Sequence, residues 1–403
     1  MSDAYSEVTE RWLRSANLAD RKSRGQYMTP RALRQELLNN LDLWPGIRVL
    51  DPACGTGEFL RDVLDREPEA QVFGWDSDES ILKYARELVP EGTYLCRDAL
   101  EPSLSDPFDL VIGNPPYFQF RASEPVRRYF ADVISGRPNI FSLFFKVGME
   151  NLNSNGQLGY VVPPSMNNGA YFNSLRNYIL NFAEIEFLRL YTDPFQFEDA
   201  QTAVQLIVIR KGSRSDRHVV NVPMSKGKQP LVLFAEDTET FKRILVKGQS
   251  LDSLGFTAVT GTVVWNVRKM DLRTKLEDGA VQLVWAQNIR DGKVVIDETN
   301  SKRPQYIINT APLIGPAVVV NRIVGSVGSG ELRVGLIEAG RKFVGENHVN
   351  VILPTQDAKV SCEELVALLR NPSVSEHVRR VTGNTQISAT ELRYLVRVGA
   401  PSP

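Results

Sequence analysis

The sequence predicts an α/β protein: one mostly parallel sheet of seven strands, followed by a separate α+β domain. Three observations predict it. Between residues 47 and 210, short β-branched apolar runs alternate with segments of helical spacing, which argues for parallel strands joined by crossover helices. Four of the runs close on a polar residue at the strand end: Asp51, Asp76, Asp98 and Asn114. From about Leu251 the texture changes to short strands with frequent Gly. The expected division is therefore residues 1–247 and 248–403.

Composition narrows the class. A chain of 403 residues, 42% hydrophobic and 24% charged, has room for two or three soluble domains. No apolar run approaches the roughly 18 residues of a membrane span, and Met1-Ser2-Asp3-Ala4 does not open a signal peptide. Cys54, Cys96 and Cys362 are scattered without metal-ligand spacing and fit a reducing cytoplasm. His218, His348 and His377 lie far apart and away from the motifs, so neither a metal site nor a His-based nucleophile is expected. Net charge is −1, yet residues 1–209 carry 20 Lys+Arg against 29 Asp+Glu, and residues 210–403 carry 27 against 19. Screening confines fields to about 8 Å at physiological salt, so this local excess points to a polyanion held mainly from the C-terminal side.

In chain order, residues 5–20 read as helical, and Gly25-Gln26-Tyr27-Met28-Thr29-Pro30 as a loop. Pro30 opens a second helix with Leu33, Leu37, Leu38 and Leu41 on one face, which sets the loop at a helix N-terminus suited to polar groups. Ile47 to Leu60 is a strand, a turn of small residues and a helix onset. Gly55 and Gly57 let backbone approach a ligand, but no G-x-G-x-x-G fingerprint or P-loop Lys is present, so a pyrophosphate is not the expected guest. Asp51 suits a cationic group such as the ammonium of a methionine moiety. Asp76, 19 residues after Gly57, stands where an acid grips ribose hydroxyls in doubly wound folds. Asp98 ends a third strand, where it can accept from an adenine amino group. Each Asp alone also suits a helix cap. Helices are expected at 80–88, 139–152 and 170–181, and further strands at 159–163, 184–191 and 204–210. Residues 211–230 read as an exposed basic connection. The C-terminal domain is expected to hold strands at 281–285, 293–296, 305–309, 317–321 and 332–337, with helices at 361–371 and 388–395. Trp265, Asn266, Arg268, Lys269, Arg322, Arg341 and Gln386 are its candidates for contacting phosphates or bases.

The fourth strand, Asp109-Leu110-Val111-Ile112-Gly113, delivers Asn114-Pro115-Pro116-Tyr117 to the edge where open α/β sheets bind ligands. These residues suit methyl transfer to an exocyclic amine, whose lone pair is delocalised into its ring. Two acceptors, the Asn114 side-chain oxygen and the Pro115 carbonyl, draw such an amine toward tetrahedral geometry; proline fixes the direction of the second. Tyr117 offers a flat face for a base, and Phe197, in the loop Phe195 to Ala200, a second wall. A proline-rich turn with a capping Asn and a packed Tyr is the alternative for the tetrapeptide alone.

Taken in order, these motifs resemble the γ-class adenine-N6 DNA methyltransferases of bacterial restriction-modification systems. Gly25 to Pro30 resembles their motif X, Asp51 to Gly57 motif I, Asp76 and Asp98 motifs II and III, Asn114 to Tyr117 motif IV, and Phe197 the aromatic of motif VIII. The resemblance covers roughly residues 20–210, with Ala53 where many such enzymes have Gly. It implies a Rossmann-like methyltransferase fold with a DNA target-recognition domain at 248–403. It also implies S-adenosylmethionine as cofactor, held by Gln26, Tyr27, Thr29, Pro30, Asp51, Ala53, Cys54, Gly55, Gly57, Asp76 and Asp98, with Asn114, Pro115, Pro116, Tyr117 and Phe197 at the reacting base. Double-stranded DNA is the implied partner; a separate cognate restriction endonuclease and the oligomeric state, with a monomer favoured, are left open. The same tetrapeptide occurs in protein-glutamine and RNA methyltransferases, and a non-catalytic DNA-binding module is a third reading.

Overall fold

A computed structural model of the chain describes residues 4–102, 106–119, 121–134, 136, 139–191, 203–225, 229–299, 302–322, 331–382 and 386–399. They fall into two compact units. The first comprises residues 1–167, 171–220 and 232–238; the second comprises 168–170, 221–231 and 239–403.

The first unit is built on strands β1 (Arg48–Asp51), β2 (Gln71–Asp76), β3 (Thr93–Cys96), β4 (Phe108–Gly113), β5 (Leu152–Val162), β6 (Ala183–Tyr191) and β7 (Val204–Lys211). Their order is β3-β2-β1-β4-β5-β7-β6. β3, β2, β1, β4 and β5 run parallel, and β7 is antiparallel to both β5 and β6. The expected mostly parallel, seven-stranded sheet is thus present. Alternation along each strand sorts two cores: Leu50, Val111, Leu158 and Ile207 face one side, and Val49, Leu110, Ile112 and Val208 the other.

Helices cover both faces of the sheet; besides the three described next, the helices numbered with them are α1 (Glu7–Ser15), α2 (Leu18–Ser23), α5 (Glu79–Leu88) and α6 (Glu124–Tyr129). On the second side lie α3 (Arg31–Leu38) and α4 (Glu58–Arg66), whose Leu37, Leu60 and Val63 are fully buried. The first side is closed by α7 (Phe141–Asn151), which buries Phe141, Leu143, Phe145 and Met149, each contributing roughly 1.5–3 kcal/mol. α7 passes directly into β5 at Leu152, so β5 starts seven residues before the expected Gly159 and Gly156 lies inside it. The physical reason is Lys211: its ammonium donates to Met149 O at 2.7 Å and Leu152 O at 2.6 Å, satisfying helix-end carbonyls that a terminating Gly otherwise serves. Lys211 is accordingly not part of an exposed basic connection. Nor is all of 211–230 exposed, because Val219–Val222 forms a strand with Val219, Val220 and Val222 buried. Lys226 and Lys228 of that stretch lie outside the described residues.

The second unit is α+β. A six-stranded sheet runs Phe256–Thr260, Val349–Pro354, Ala317–Asn321, Val334–Ile337, Gly292–Val294, Ile289–Arg290, and helices Cys362–Leu369, Pro372–Thr382 and Ala389–Tyr394 share its core. A five-stranded sheet contains Leu272–Arg273, Tyr306–Ile307, Val281–Val284, Lys342–Gly345 and Leu313–Ile314. The helix at Pro372–Thr382 and the strands Phe256–Thr260 and Val349–Pro354 were not anticipated from the sequence. Pro372 at the first helical position is the start signal that could have found the helix.

Candidate active site

The site lies where β1 has β2 on one side and β4 on the other, the switch point at which connections leave in opposite directions. A cavity of about 290 Å³ opens there, near the lower end of the range for small-molecule sites. Its walls include Gln26, Tyr27, Thr29, Asp51, Ala53, Cys54, Gly55, Asp76, Asp98, Asn114 and Pro116, so residues spread over 91 positions converge as the motif order requires.

The turn after β1 is shaped by its glycines and acids. Gly55 and Gly57 sit at φ +54° and +88°, a region that side chains disfavour. Asp51 Oδ1 accepts from Ala53 N at 3.0 Å, and Asp76 Oδ2 accepts from Gly55 N at 3.0 Å, so both carboxylates brace the turn they flank. Burial pushes the Asp51 carboxyl up to about 8, with the nearby Asp76 charge adding to the effect. Asp76 is raised as well, mainly by burial. A carboxyl held so high in a ligand-sized cavity is poised to take up a cation. Thr29 supplies a second sign of a ligand: its Oγ1 is buried in the wall without a hydrogen-bond partner among the described residues. Asp98 is exposed and caps its own turn through Leu100 N at 2.9 Å.

At the end of β4 the Asn114 amide is oriented from two sides. Its Nδ2 donates to Tyr27 O at 2.7 Å, while the Tyr117 hydroxyl lies within reach of Asn114 Oδ1 and of Val161 O, the latter at 2.6 Å. Donation by Nδ2 fixes which end of the amide is the acceptor. The sequence reading gives Tyr117 a free face; in the structure its ring stacks on Tyr27 at 6.2 Å and meets the Phe141 edge, and Pro116 and Phe118 form the cavity wall instead. The cause is the hydroxyl, which finds buried acceptors only when the ring turns inward. Pro115 is buried behind Asn114 and Gly57 caps α4; like Pro30, neither forms the wall. Phe197 lies outside the described residues.

Several wall residues carry no sequence signal. Arg34, 2% exposed, pairs with Glu58 at 2.7 Å and Asp62 at 2.5 Å and donates to Thr29 O at 2.6 Å. Glu58 in turn accepts from Ser6 N at 2.8 Å and Ser6 Oγ at 2.7 Å. The N-terminal segment is thereby locked to the helix that follows the glycine turn. Removing Arg34 leaves two carboxylates buried without their cation, which costs roughly 3–5 kcal/mol. Arg97, over the Trp75 ring at 4.5 Å, and Phe118, Ile140 and Phe144 complete the wall.

Gly25 makes the N-terminal loop fit against the β4 turn. It adopts φ +64°, and a Cβ there meets Tyr117 N at 2.6 Å. Gly46 has the same kind of backbone, at φ +81°, but faces open space. Gly25→Ala and Gly46→Ala are both expected to lower stability by roughly 1–3 kcal/mol, measured by thermal melting. Gly25→Ala alone is expected to lose ligand binding at the cavity, because only there does the added carbon push Tyr27 away from Asn114. Equal binding by the two variants contradicts this packing.

Residues 62–196 match the Eco57I restriction-modification methylase family. The modification methylase CviBIII of Paramecium bursaria Chlorella virus NC1A is 27% identical over 54% of this chain and 57% of its own length. The type II methyltransferase M.CvrRI of Paramecium bursaria Chlorella virus XZ-6E is 24% identical over 83% of this chain and 84% of its own. The chain thus spans only about half the length of the first of these relatives. Among solved structures, the type IIG restriction endonuclease BpuSI is similar at a TM-score of 0.45 and 11% identity, over 93% of this chain and 59% of that one. The match over residues 62–196 is to the Eco57I restriction-modification methylases, and the two sequence relatives are named a modification methylase and a type II methyltransferase.

Proposed function

We propose that the chain is a site-specific DNA methyltransferase of a restriction-modification system, which moves a methyl group from S-adenosylmethionine to N6 of an adenine flipped out of duplex DNA. A separate restriction endonuclease is its implied counterpart. The observation that carries this reading is the placement of Asn114, its acceptor end fixed, in the wall of the cavity that also holds Asp51 and Asp76. The relatives' names support it.

The cavity lining fits the cofactor: Asp51 would hold its ammonium, Asp76 its ribose hydroxyls and Asp98 its adenine amino group, and the buried Thr29 hydroxyl and the Gly55 turn would supply further polar contacts. When bound, S-adenosylmethionine supplies a methyl group on a sulfonium, an electrophile that needs no metal. Asn114 Oδ1, in the cavity wall, accepts an N–H bond of the incoming amine and turns its lone pair outward; the Pro115 carbonyl, buried behind the wall, would take the second N–H only with a shift of the β4 turn. Acting on charge as it develops on nitrogen, Asn114 is an electrostatic stabiliser. The extra proton leaves for water after alkylation, so an amide suffices where a strong base is absent. Flipping costs a few kcal/mol, and stacking returns roughly 1–3 kcal/mol per base. Phe118, with Tyr27 and Phe144, supplies aromatic wall beside Asn114, and Phe197 is the proposed opposite wall.

Asp51 makes cofactor binding depend on pH. A cationic ligand prefers the ionised carboxylate, and the free protein holds the carboxyl protonated below about 8. Affinity is therefore expected to rise by up to tenfold per unit between about pH 6 and 8, then to fall as the ligand's own amino group, near 8 for an ordinary α-amine, loses its proton. The sign for stability is opposite. The folded carboxyl binds a proton that the unfolded one, near 3.9, has released, so stability falls as pH rises from about 4 to 8. Calorimetric titration of the wild type and of Asp51→Asn checks the first, since the Asn variant should bind weakly and without the rise, and thermal melting of both between pH 4 and 8 checks the second. A wild-type affinity flat from pH 6 to 8 contradicts the role given to Asp51.

Base-modification sequencing of DNA from cells expressing the chain tests the whole reading. N6-methyladenine in one sequence context is expected; N4-methylcytosine, or no modified base, contradicts it.

A further inference from the structure

The acid assigned to the cofactor's adenine stands on a turn that another side chain holds in place. Asp98 lies in the turn after β3, and its Oδ1 accepts from Leu100 N within that turn at 2.9 Å. Its Oδ2 has no hydrogen-bond partner among the described residues, so one carboxylate oxygen is left for a ligand. The turn is wound around the side chain of Arg97. Nη2 of Arg97 donates to Glu101 O at 2.5 Å and to Pro102 O at 3.2 Å, and its Nε reaches Asp98 O at 3.4 Å. The guanidinium lies over the Trp75 ring at 4.5 Å, and that ring, 2% exposed, belongs to the core beneath the sheet. A second tie runs through the backbone, where Arg97 N donates to Asp76 O at 2.9 Å. One residue therefore joins the strand that carries the ribose acid to the turn that carries the adenine acid.

The space behind the turn makes this clasp matter. Arg97, Asp98 and Ala99 line the cofactor cavity, while Ala99, Leu100, Glu101 and Pro102 line a second cavity of about 150 Å³. Ala99 borders both, so the turn is a partition with a cavity on either side. Close packing holds a core side chain without further help; a partition needs a tie. Ala99, buried in the core, anchors the turn at one point, and the guanidinium opposes its rotation about that point. An arginine that merely covers an aromatic ring needs no set of carbonyl acceptors. Here the planar group stacks on the ring and sends its N–H edge into the turn, a geometry that a lysine's point charge does not reproduce.

We infer that Arg97 is a positioning residue for the cofactor: by clasping residues 98–102 against Trp75, it holds the Asp98 carboxylate at the purine edge and sets the site's preference for a 6-amino purine. This rests on the assignment of Asp98 to the adenine amino group and deepens it. Without the clasp the turn relaxes toward the second cavity and the acceptor loses its register with the amino group. The Asp51 and Asp76 side of the cavity, braced by its own hydrogen bonds, stays as it was.

The test uses the full chain and two probes, S-adenosylhomocysteine and its 6-deamino analogue, which carries purine in place of adenine. Affinities are measured by calorimetric titration, and the ratio of the two is the readout. Both probes carry the same charges, so loss of a nearby cation or a general loosening of the fold changes both affinities and leaves the ratio alone. A site arranged to accept from an amino group rejects an analogue that lacks it, and the wild type is expected to prefer the adenosyl probe by about tenfold or more. Arg97→Gln is expected to bring the ratio below about threefold, with affinity for the deamino probe within about twofold of wild type. Arg97→Lys, which keeps the charge and loses the fork, is the second variant and should at least halve the ratio. Asp98→Ala should abolish the preference, and adding Arg97→Gln to it should change the ratio no further, since the two act through one contact. If both Arg97 variants keep the wild-type ratio, or lower both affinities equally, the inference is overturned and the Asp98 assignment stands. A wild type that binds both probes equally removes Asp98 from the adenine and the inference with it, while binding of neither contradicts the cofactor reading itself.

Discussion

Asn114→Ala is expected to reduce methyl transfer by about 10²–10³-fold or more while cofactor affinity changes less than twofold. The magnitude is that of removing one preorganised electrostatic group from a developing charge. The structure makes the loss specific. Asn114 is held by Tyr27 O at one end and approached by the Tyr117 hydroxyl at the other, so its amide has already given up the freedom that alignment costs. Water filling the space of the missing amide has neither restraint. Asp51, Asp76 and the Gly55 turn are braced by their own hydrogen bonds and keep the cofactor side of the cavity intact. Single-turnover rates with and without the substitution, beside a cofactor titration, separate the two effects. Near-wild-type transfer by Asn114→Ala removes it from the chemistry.

Gly113→Ala is expected to weaken cofactor binding from a position that does not line the cavity. Gly113 sits at φ +156°, and a Cβ there meets Asp51 Oδ1 at 2.6 Å. The carboxylate has little space to retreat: it is 1% exposed and tied to Ala53 N. The added methyl therefore displaces the group that faces the ligand's cation, and affinity should fall by at least tenfold. If the effect runs through Asp51, the two sites are coupled and their costs do not add. In an Asp51→Ala background, Gly113→Ala should then cost little more. Full additivity, or unchanged affinity in the single variant, contradicts the mechanism.

How much of this was legible in the sequence depends on what each residue's position is fixed by. Asp51, Asp76 and Asn114 could be read because each stands at the end of a strand, and topology carries every parallel strand's carboxyl end to the same edge. Gly55 and Gly57 could be read because a tight βα turn needs positive φ. The Arg34, Glu58 and Asp62 cluster could not, since those residues meet only when α3 packs on α4, and nothing in the spacing of 24 and 28 residues foretells that. Tyr27 illustrates a mixed case: its loop was recognised, but its carbonyl as the partner of Asn114 Nδ2 is a backbone contact invisible to side-chain reasoning. Tyr117 was placed in the right loop and given the wrong immediate surroundings, because a hydroxyl's search for buried acceptors at Val161 O is decided by packing. In the second unit the strands Val281–Val284, Gly292–Val294, Tyr306–Ile307, Ala317–Asn321 and Val334–Ile337 fall on the runs read from the sequence, while Phe256–Thr260, Leu272–Arg273, Leu313–Ile314 and Lys342–Gly345 do not. Strand Val349–Pro354 was missed because an apolar run of that length is equally consistent with a buried helix.

The most direct measurement is the fate of a labelled methyl group. Purified chain, S-adenosylmethionine labelled in its methyl group, and unmodified duplex DNA are incubated together, and the DNA is digested to nucleosides. The account predicts label in N6-methyldeoxyadenosine, lost on Asn114→Ala and on omission of DNA. Label that stays on the cofactor, or that appears in protein or in another nucleoside, contradicts it.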